Sequence, residues 1–344
     1  MSSVNLYSDT QTLPTRGMRE AIAVAEVGDE QRGLDPTVNR LQERVAELLG
    51  HEAALFLPSG TMCNLIALRL HLSGAGEEAY MHKWAHPIVA EAGGPAALAG
   101  AMIHPLEGEG GMFSAQDLEA ALRDPADRHQ PRSRLVAIEQ TTNIGGGRVW
   151  PLSSIESVLA TAGQHGLRTH LDGARLLNAA VAAGVSPATF ARGFDTAWID
   201  FSKGLGAPVG ACLAGSRELI EEAWRQKQML GGAMRQAGIL AAAALYGLDH
   251  HVERLAEDHA NARALADGLA SIEGIGVDPA ATETNIVVFL VEDAHALVAG
   301  LAERGVEMSA LHPNVVRAVT HLDVDREAIE RSLSATQAAM RELR

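Results

Sequence analysis

Only 2 of the 344 residues are cysteine and only 4% are aromatic, and no apolar run reaches the roughly 18 residues that a membrane-spanning helix needs. Cys63 and Cys212 both sit in apolar runs, which fits reduced core thiols and excludes a disulfide framework. Positive charge is scarce as well. Lys and Arg number 28 against 43 Asp and Glu, for a net charge of −15, and no basic stripe appears. Binding to a nucleic-acid backbone rests on clustered Lys and Arg, so that class of partner is excluded. The opening MSSVNLYSDTQT has neither a positive n-region nor an apolar h-region, and the expectation is an untargeted cytoplasmic protein that meets no membrane. What the chain does have is 47% hydrophobic residues and 34 Gly. That apolar content offsets the entropy of ordering and excludes disorder. Against about 100–200 residues per domain, the length predicts one large domain with an appendage, or two domains.

Short apolar strand candidates at 53–57, 135–139, 167–172, 196–200 and 210–214 alternate with helix-period segments. This pattern predicts an α/β fold with a mostly parallel sheet covered by helices. A helix over 36–49 is opened by Asp35 and Pro36 and closed by Gly50, and one over 152–165 is closed by Gly166. Beyond Gly231 an Ala-rich stretch predicts one long helix over 240–270, with His250 and His251 near its middle. A strand (285–291), a helix (294–303), a strand (315–320) and a final helix from about Asp325 follow. Residues 1–250 are read as an N-terminal arm and large domain, and residues 251–344 as a small C-terminal α/β domain.

Three places carry candidate chemistry. Ser59-Gly60-Thr61, between the 53–57 strand and a helix running to about His71, offers free backbone N–H groups and a hydroxyl to an anion; its plainer reading is a turn with Ser59 as cap. Asp172 ends an apolar strand, where a carboxylate needs a cation: either Arg175 in a structural ion pair or a protonated ligand nitrogen. Lys203, in Ser202-Lys203-Gly204-Leu205-Gly206, follows another strand end as either an activated amine or a surface lysine in a turn. Neither a dinucleotide fingerprint nor a Walker lysine is present. In sequence order, an anion cup, a histidine region (His82, His86), a strand-end Asp and a strand-end Lys are the parts that hold pyridoxal phosphate.

The segments Asn5-Leu6-Tyr7-Ser8-Asp9-Thr10, Gly33-Leu34-Asp35-Pro36, Pro58-Ser59-Gly60-Thr61-Met62, Asp172-Gly173-Ala174-Arg175, Ser202-Lys203-Gly204-Leu205-Gly206-Ala207-Pro208, Met234-Arg235-Gln236 and Val319-Thr320-His321-Leu322-Asp323 resemble those of the L-threonine aldolases. The similarity covers residues 4–325. It implies the aspartate-aminotransferase-like fold (fold type I) of pyridoxal-phosphate enzymes and cleavage of L-threonine, L-allo-threonine or related β-hydroxy-α-amino acids to glycine and an aldehyde. By the same resemblance, Lys203 forms the Schiff base with pyridoxal 5'-phosphate, Asp172 meets the ring nitrogen and His86 stacks on the ring. Ser59, Gly60 and Thr61 hold the phosphate, with Ser202 beside them, and Arg235 reaches the phosphate of a neighbouring subunit. Ser8, Arg175 and Arg317 grip the substrate carboxylate. A homo-oligomer, as a tetramer built from two dimers, is implied as well.

Three positions depart from the family pattern: Tyr7 and Arg32 replace an Arg and a Tyr, and Thr142 replaces the histidine assigned to the substrate's β-hydroxyl. Thr142 cannot act as a base near neutral pH, which leaves His86 as the nominated histidine. His82 and His86 have the spacing of a helical zinc pair but lack its glutamate, so no metal is expected. His250, His251 and His259 read as solvated or helix-packing residues, and His321 as a residue at the edge of the site. The competing readings are a β-eliminating lyase or aminotransferase using the same Lys203 and Asp172, and a silent cofactor-binding protein.

Overall fold

A helix and a strand that terminate where local chemistry dictates set the frame. Asp35 Oδ1 accepts the N–H groups of Thr37 and Val38 (3.1 and 3.0 Å), Pro36 opens helix Pro36–Leu49, and Gly50 closes it at φ 70°, a conformation that suits glycine. The computed structural model describes residues 3–74 and 76–343. Its strands are β1 (Val4–Asn5), β2 (Ala53–Leu57), β3 (Glu77–His82), β4 (Met102–Leu106), β5 (Arg132–Glu139), β6 (Arg168–Gly173), β7 (Thr196–Asp200), β8 (Ala211–Gly215), β9 (Ile286–Leu290), β10 (Val306–Glu307), β11 (Ser309–His312) and β12 (Val315–Val319).

Seven of them form one sheet in the order β2-β8-β7-β6-β5-β3-β4, with β8 antiparallel to both its neighbours and the other pairings parallel. The α/β class and the five apolar strands follow the expectation. A mostly parallel sheet puts the carboxyl ends of β5, β6 and β7 on one edge, where ligands bind in such folds. A core including Val136, Ile138, Leu171 and Ile199 fills the space between sheet and helices. Cys63 and Cys212 are free and buried. The second layer is an antiparallel sheet, β11-β12-β9, under helices Leu255–Leu269, Ala294–Glu303 and Arg326–Glu342.

Two features depart from the sequence reading. The single long helix expected over 240–270 is two, Gly238–His250 and Leu255–Leu269. The break falls at His251, whose buried ring is drawn by Nδ1 onto the Leu205 carbonyl (2.7 Å), ending the first helix over the large-sheet core. The second helix then packs Ala262, Leu265 and Leu269 into the other core. The N-terminal arm also crosses over. β1 pairs in parallel with β10, Leu6 O accepts the Val319 N–H (2.9 Å), and Val4 and Leu6 are buried with the C-terminal layer. His321 is a strut of that arm: it is buried, with Nε2 donating to the Asn5 carbonyl (2.9 Å). Among the described residues no helix is long and apolar enough to cross a membrane.

Candidate active site

The register of the parallel strands decides what meets at their carboxyl edge. Glu139 on β5 lies opposite Asp172 on β6, and Asp172 lies opposite Trp198 on β7. Helix Gly60–His71 begins at the same edge. Ser59 caps it, accepting the Met62 N–H through Oγ (3.2 Å), so the capping reading holds; the first-turn N–H groups of Gly60 and Thr61 have no intrahelical acceptor. A side chain at Gly60 would run into the Trp198 indole, so glycine is needed for this close approach.

A cleft of about 450 Å3 opens here. Its walls include Ser8, Ser59, Gly60, Thr61, His86, Asp172, Arg175, Ser202, Lys203 and Arg317 from the sequence-predicted set, together with Glu139, Asn143, Trp198 and Asp200. A larger groove, about 660 Å3, is lined by His51, Arg69, Arg168 and Asp195 at the opposite, amino end of β6 and β7, and ligand binding in this architecture does not use that edge.

Asp172 is buried and pairs with no Lys or Arg among the described residues. Its Oδ2 accepts from Asn64 Nδ2 (2.8 Å) and its Oδ1 from the Ala174 N–H (3.1 Å). Burial raises its pKa, against those hydrogen bonds and the nearby His86. The ion pair weighed between Asp172 and Arg175 does not form. Arg175 instead gives Nε and Nη2 to the two oxygens of Asp9, both at 2.7 Å, and both side chains are buried. Burial alone would raise Asp9, yet Arg175, Lys203 and a hydrogen bond from Asn285 hold it well below the ordinary carboxylate range. Arg175 thus reaches the cleft braced by Asp9 through Nε and Nη2, with Nη1 without a hydrogen-bond partner among the described residues. Arg317 pairs with no carboxylate among the described residues: its Nη1 donates to Asn143 Oδ1 (2.8 Å) and its Nη2 to the Tyr7 carbonyl (3.4 Å), while its buried Nε has no partner.

Lys203 pairs with Asp200 and lies 5.8 Å from the centre of the Trp198 ring. Asp200 Oδ1 accepts from the N–H and hydroxyl of Ser202, both 2.7 Å. Beneath the cleft, Asn64 is the crossing point of a buried network. Its Nδ2 donates to Asp172 and to Glu91 Oε1 (2.8 Å each), and its Oδ1 accepts from Trp198 Nε1 (2.8 Å) and His170 Nε2 (3.1 Å). All four hydrogen-bonding capacities of its amide are used. His170 and His71 flank Thr196 at 2.8 Å, and burial drives their pKa values down to about 3 and 4, so both stay neutral. Glu91 also accepts from His86 Nδ1 (2.8 Å), which raises the His86 pKa against its partial burial. Replacing Asn64 with Leu would strand Asp172, Glu91 and the Trp198 N–H. At about 1–3 kcal/mol per unsatisfied buried group, we expect a loss of at least about 3 kcal/mol in denaturant unfolding, and a smaller loss would show that the network relaxes.

Two predicted residues are not at the cleft. Thr142 is fully buried, with Oγ1 accepting the Arg148 N–H (3.2 Å) inside the 142–147 turn and close to Gly111 and Gly145; the turn folds it inward, and it is corrected to a structural residue. Arg235 lies apart, exposed, with Nη1 3.1 Å from Asp29 and its carbonyl accepting the Glu30 N–H (2.9 Å). His82 ends β3 and bonds the Gly108 carbonyl (3.1 Å), while His86 begins a separate short helix, so the two do not share a helical face. The sequence reading missed Asn64, Glu91 and Asp9. Asn64 left a signal as an amide within the apolar run Cys63-Asn64-Leu65-Ile66, and Asp9 stood in the Asn5–Thr10 segment without an assigned role, while Glu91 left none.

A family model described as beta-eliminating lyase matches residues 5–292. The chain is 41% identical to low-specificity L-threonine aldolase 1 of Arabidopsis thaliana, over 99% of this chain and 97% of that protein. It is 42% identical to the low specificity L-threonine aldolase of Escherichia coli K12, over 95% and 96% of the two chains. Among solved structures, the threonine aldolase of Leishmania major matches with a TM-score of 0.83 at 23% identity, covering 99% of this chain and 100% of that one. Serine palmitoyltransferase of Sphingomonas wittichii matches with a TM-score of 0.77 at 20% identity, covering 99% and 88%. These structural likenesses show the fold, that of the fold type I pyridoxal-phosphate enzymes.

Proposed function

The chain belongs to the beta-eliminating lyase family, among the low-specificity L-threonine aldolases, and from that premise we propose that it is a pyridoxal-phosphate-dependent carbon–carbon lyase. It cleaves L-threonine, L-allo-threonine and related β-hydroxy-α-amino acids to glycine and an aldehyde. The observation that carries the reading is Asp172, a buried carboxylate facing the cleft with no cationic side chain paired to it among the described residues. A buried carboxylate of this kind needs a positive partner, and a protonated pyridine nitrogen supplies one. The rest of the donor set fits the same group: a primary amine at Lys203, and the hydroxyls and first-turn N–H groups of Ser59, Gly60 and Thr61 for a phosphate.

When bound, the cofactor supplies a conjugated ring that stabilises negative charge at the substrate Cα. In this reading Asp172, held by Asn64 and the Ala174 N–H, would hold a proton on the ring nitrogen. Lys203 is the amine that would hold the cofactor, and it would carry a proton to or from Cα. His86, fixed through Nδ1 by Glu91, would lie against the ring. Arg317 and Arg175, the latter braced by Asp9, would take the substrate carboxylate, with Ser8 beside them. Ser202 keeps Asp200 oriented toward Lys203.

The test is direct. Incubating the protein and cofactor with L-threonine, L-allo-threonine and L-phenylserine should yield glycine with the matching aldehyde; pyruvate with ammonia, or an oxoacid, would establish elimination or amino transfer instead. We extend the proposal to a homo-oligomer, a tetramer, in the cytoplasm, and to a division of the chain near residue 250. Arg235 supports the oligomer: it lies off the cleft of its own chain, and Leu13, Val24, Val27 and Leu34 expose apolar side chains in the same N-terminal stretch as its partner Asp29. An active monomer in a mass-calibrated solution measurement would remove that part.

A further inference from the structure

We propose that Glu139 is the base that accepts the proton of the substrate's β-hydroxyl, an assignment that rests on the aldolase reading above. That reaction needs a proton acceptor in the cleft, and Thr142 lies outside it. The other groups are engaged. Asp200 uses both oxygens on Ser202 and Lys203, and Asp172 uses both on Asn64 and the Ala174 N–H. His86 is tied at Nδ1 to Glu91, which favours its protonated, donating form.

Glu139 differs from all of these. It closes β5 at the carboxyl edge, it is half-buried, and it lines the cleft. Oε2 accepts the Asn143 N–H (3.1 Å), and Oε1 accepts no hydrogen bond among the described residues. The same Asn143 accepts from Arg317 through its side chain (2.8 Å), so a single residue spaces the free carboxylate oxygen from the guanidinium nominated for the substrate carboxylate. The β-hydroxyl of an amino acid is separated from its carboxylate by Cα and Cβ, so a base near the carboxylate site has the reach the reaction requires.

The surroundings tune this carboxyl. Burial first, and then the like charge of Asp172 on the neighbouring strand, raise its pKa to about 7, against the Asn143 N–H, His86 across the cleft and Arg175 at the start of the next helix. Lys203, Asp200 and Arg317 complete the charged groups around the cleft. A base that titrates near the working pH is both available and strong enough to take a proton. In the step itself, the β-hydroxyl proton passes to the Glu139 carboxylate, and the O–H electron pair becomes the second bond of the aldehyde carbonyl. The Cα–Cβ bond breaks with its pair left on Cα, and a proton then added to Cα gives glycine.

The experiment uses the cofactor-loaded protein with Glu139→Gln and Glu139→Asp. Gln keeps the shape and still accepts the Asn143 N–H. We expect E139Q to lower kcat/KM for L-threonine on the order of 10²–10⁴-fold and to erase the limb of the wild-type profile that rises through about pH 7, while E139D recovers part of the rate. Exchange of the glycine α-proton with solvent deuterium, which needs no β-hydroxyl base, should persist in E139Q. Independently of turnover, infrared difference spectra across neutral pH should show a carboxyl band in the wild type that E139Q lacks. Retention of the rising limb or of the wild-type rate in E139Q would overturn the assignment, as would a parallel loss of glycine exchange or an unchanged infrared band. A wild-type protein that releases no glycine from any of the three substrates would instead overturn the aldolase reading.

Discussion

Lys203→Ala should give a protein without a visible cofactor absorption band and with turnover reduced on the order of 10³-fold or more, the size of effect expected when a positioned proton-transferring and covalent group is removed. Lys203 follows β7, with Asp200 at the strand end beside it and the Trp198 face 5.8 Å away. Nothing else among the described residues lining the cleft carries a primary amine. Alanine leaves Ser202 still donating to Asp200, so the turn keeps two of its three anchors, and unfolding should shift by only about 1–3 kcal/mol. Absorbance before and after adding cofactor reads the first effect, and glycine release reads the second. Turnover that survives the change would remove Lys203 from its assigned role.

Asp9→Ala should have the largest effect on stability, about 3–5 kcal/mol in urea unfolding at neutral pH. The figure reflects what is left behind: Arg175 would stay buried with two hydrogen-bond donors unpaired, and Asn285 would lose the Asp9 oxygen it donates to at 3.1 Å. The pH dependence has a definite sign. Asp9 is held well below its unfolded value, so its contribution is present above the ordinary carboxylate range and is lost only as pH falls through the depressed folded value. Acid should therefore destabilise the native protein more than it destabilises Asp9→Ala. If the two lost stability in parallel on acidification, the Asp9–Arg175 pair would not be the acid-sensitive element claimed here.

The parts that were legible in sequence are those governed by local chemistry. Helix Pro36–Leu49 carries its own cap, first-turn proline and closing glycine, and β2 and β7 are largely apolar runs ended by polar or small residues. β3 was missed because it opens with Glu77 and Glu78, which no strand pattern would bury. Their neutralising partners, Arg134 at 2.8 Å and Arg123 at 2.8 and 3.0 Å, come from distant segments. The break at His251 was missed for a similar reason, since an Ala-rich run gives no stop signal and its acceptor lies on Leu205. At the site, Asp172 and Lys203 announced themselves as charges at the ends of apolar strands. Partners did not: Asp9 and Arg175 are 166 positions apart, and Asn64 and Asp172 are 108 apart. Residue type shows which groups need a partner, while the choice of partner belongs to the tertiary fold.

The crossing of β1 onto β10 has a consequence for the order of folding. Ser8, Asp9 and Thr10 follow a segment that is anchored to Val306, Val319 and His321, with His321 and its acceptor Asn5 316 positions apart. Strands β2 to β8 can pair among themselves, but β1 cannot be seated until β10 and β12 are in place, a long-range closure of the kind that slows folding. The cleft is thus sealed by a stitch between sequence-distant segments, so a chain cut short before β10 would carry Lys203 and Asp172 on a sheet with one wall missing.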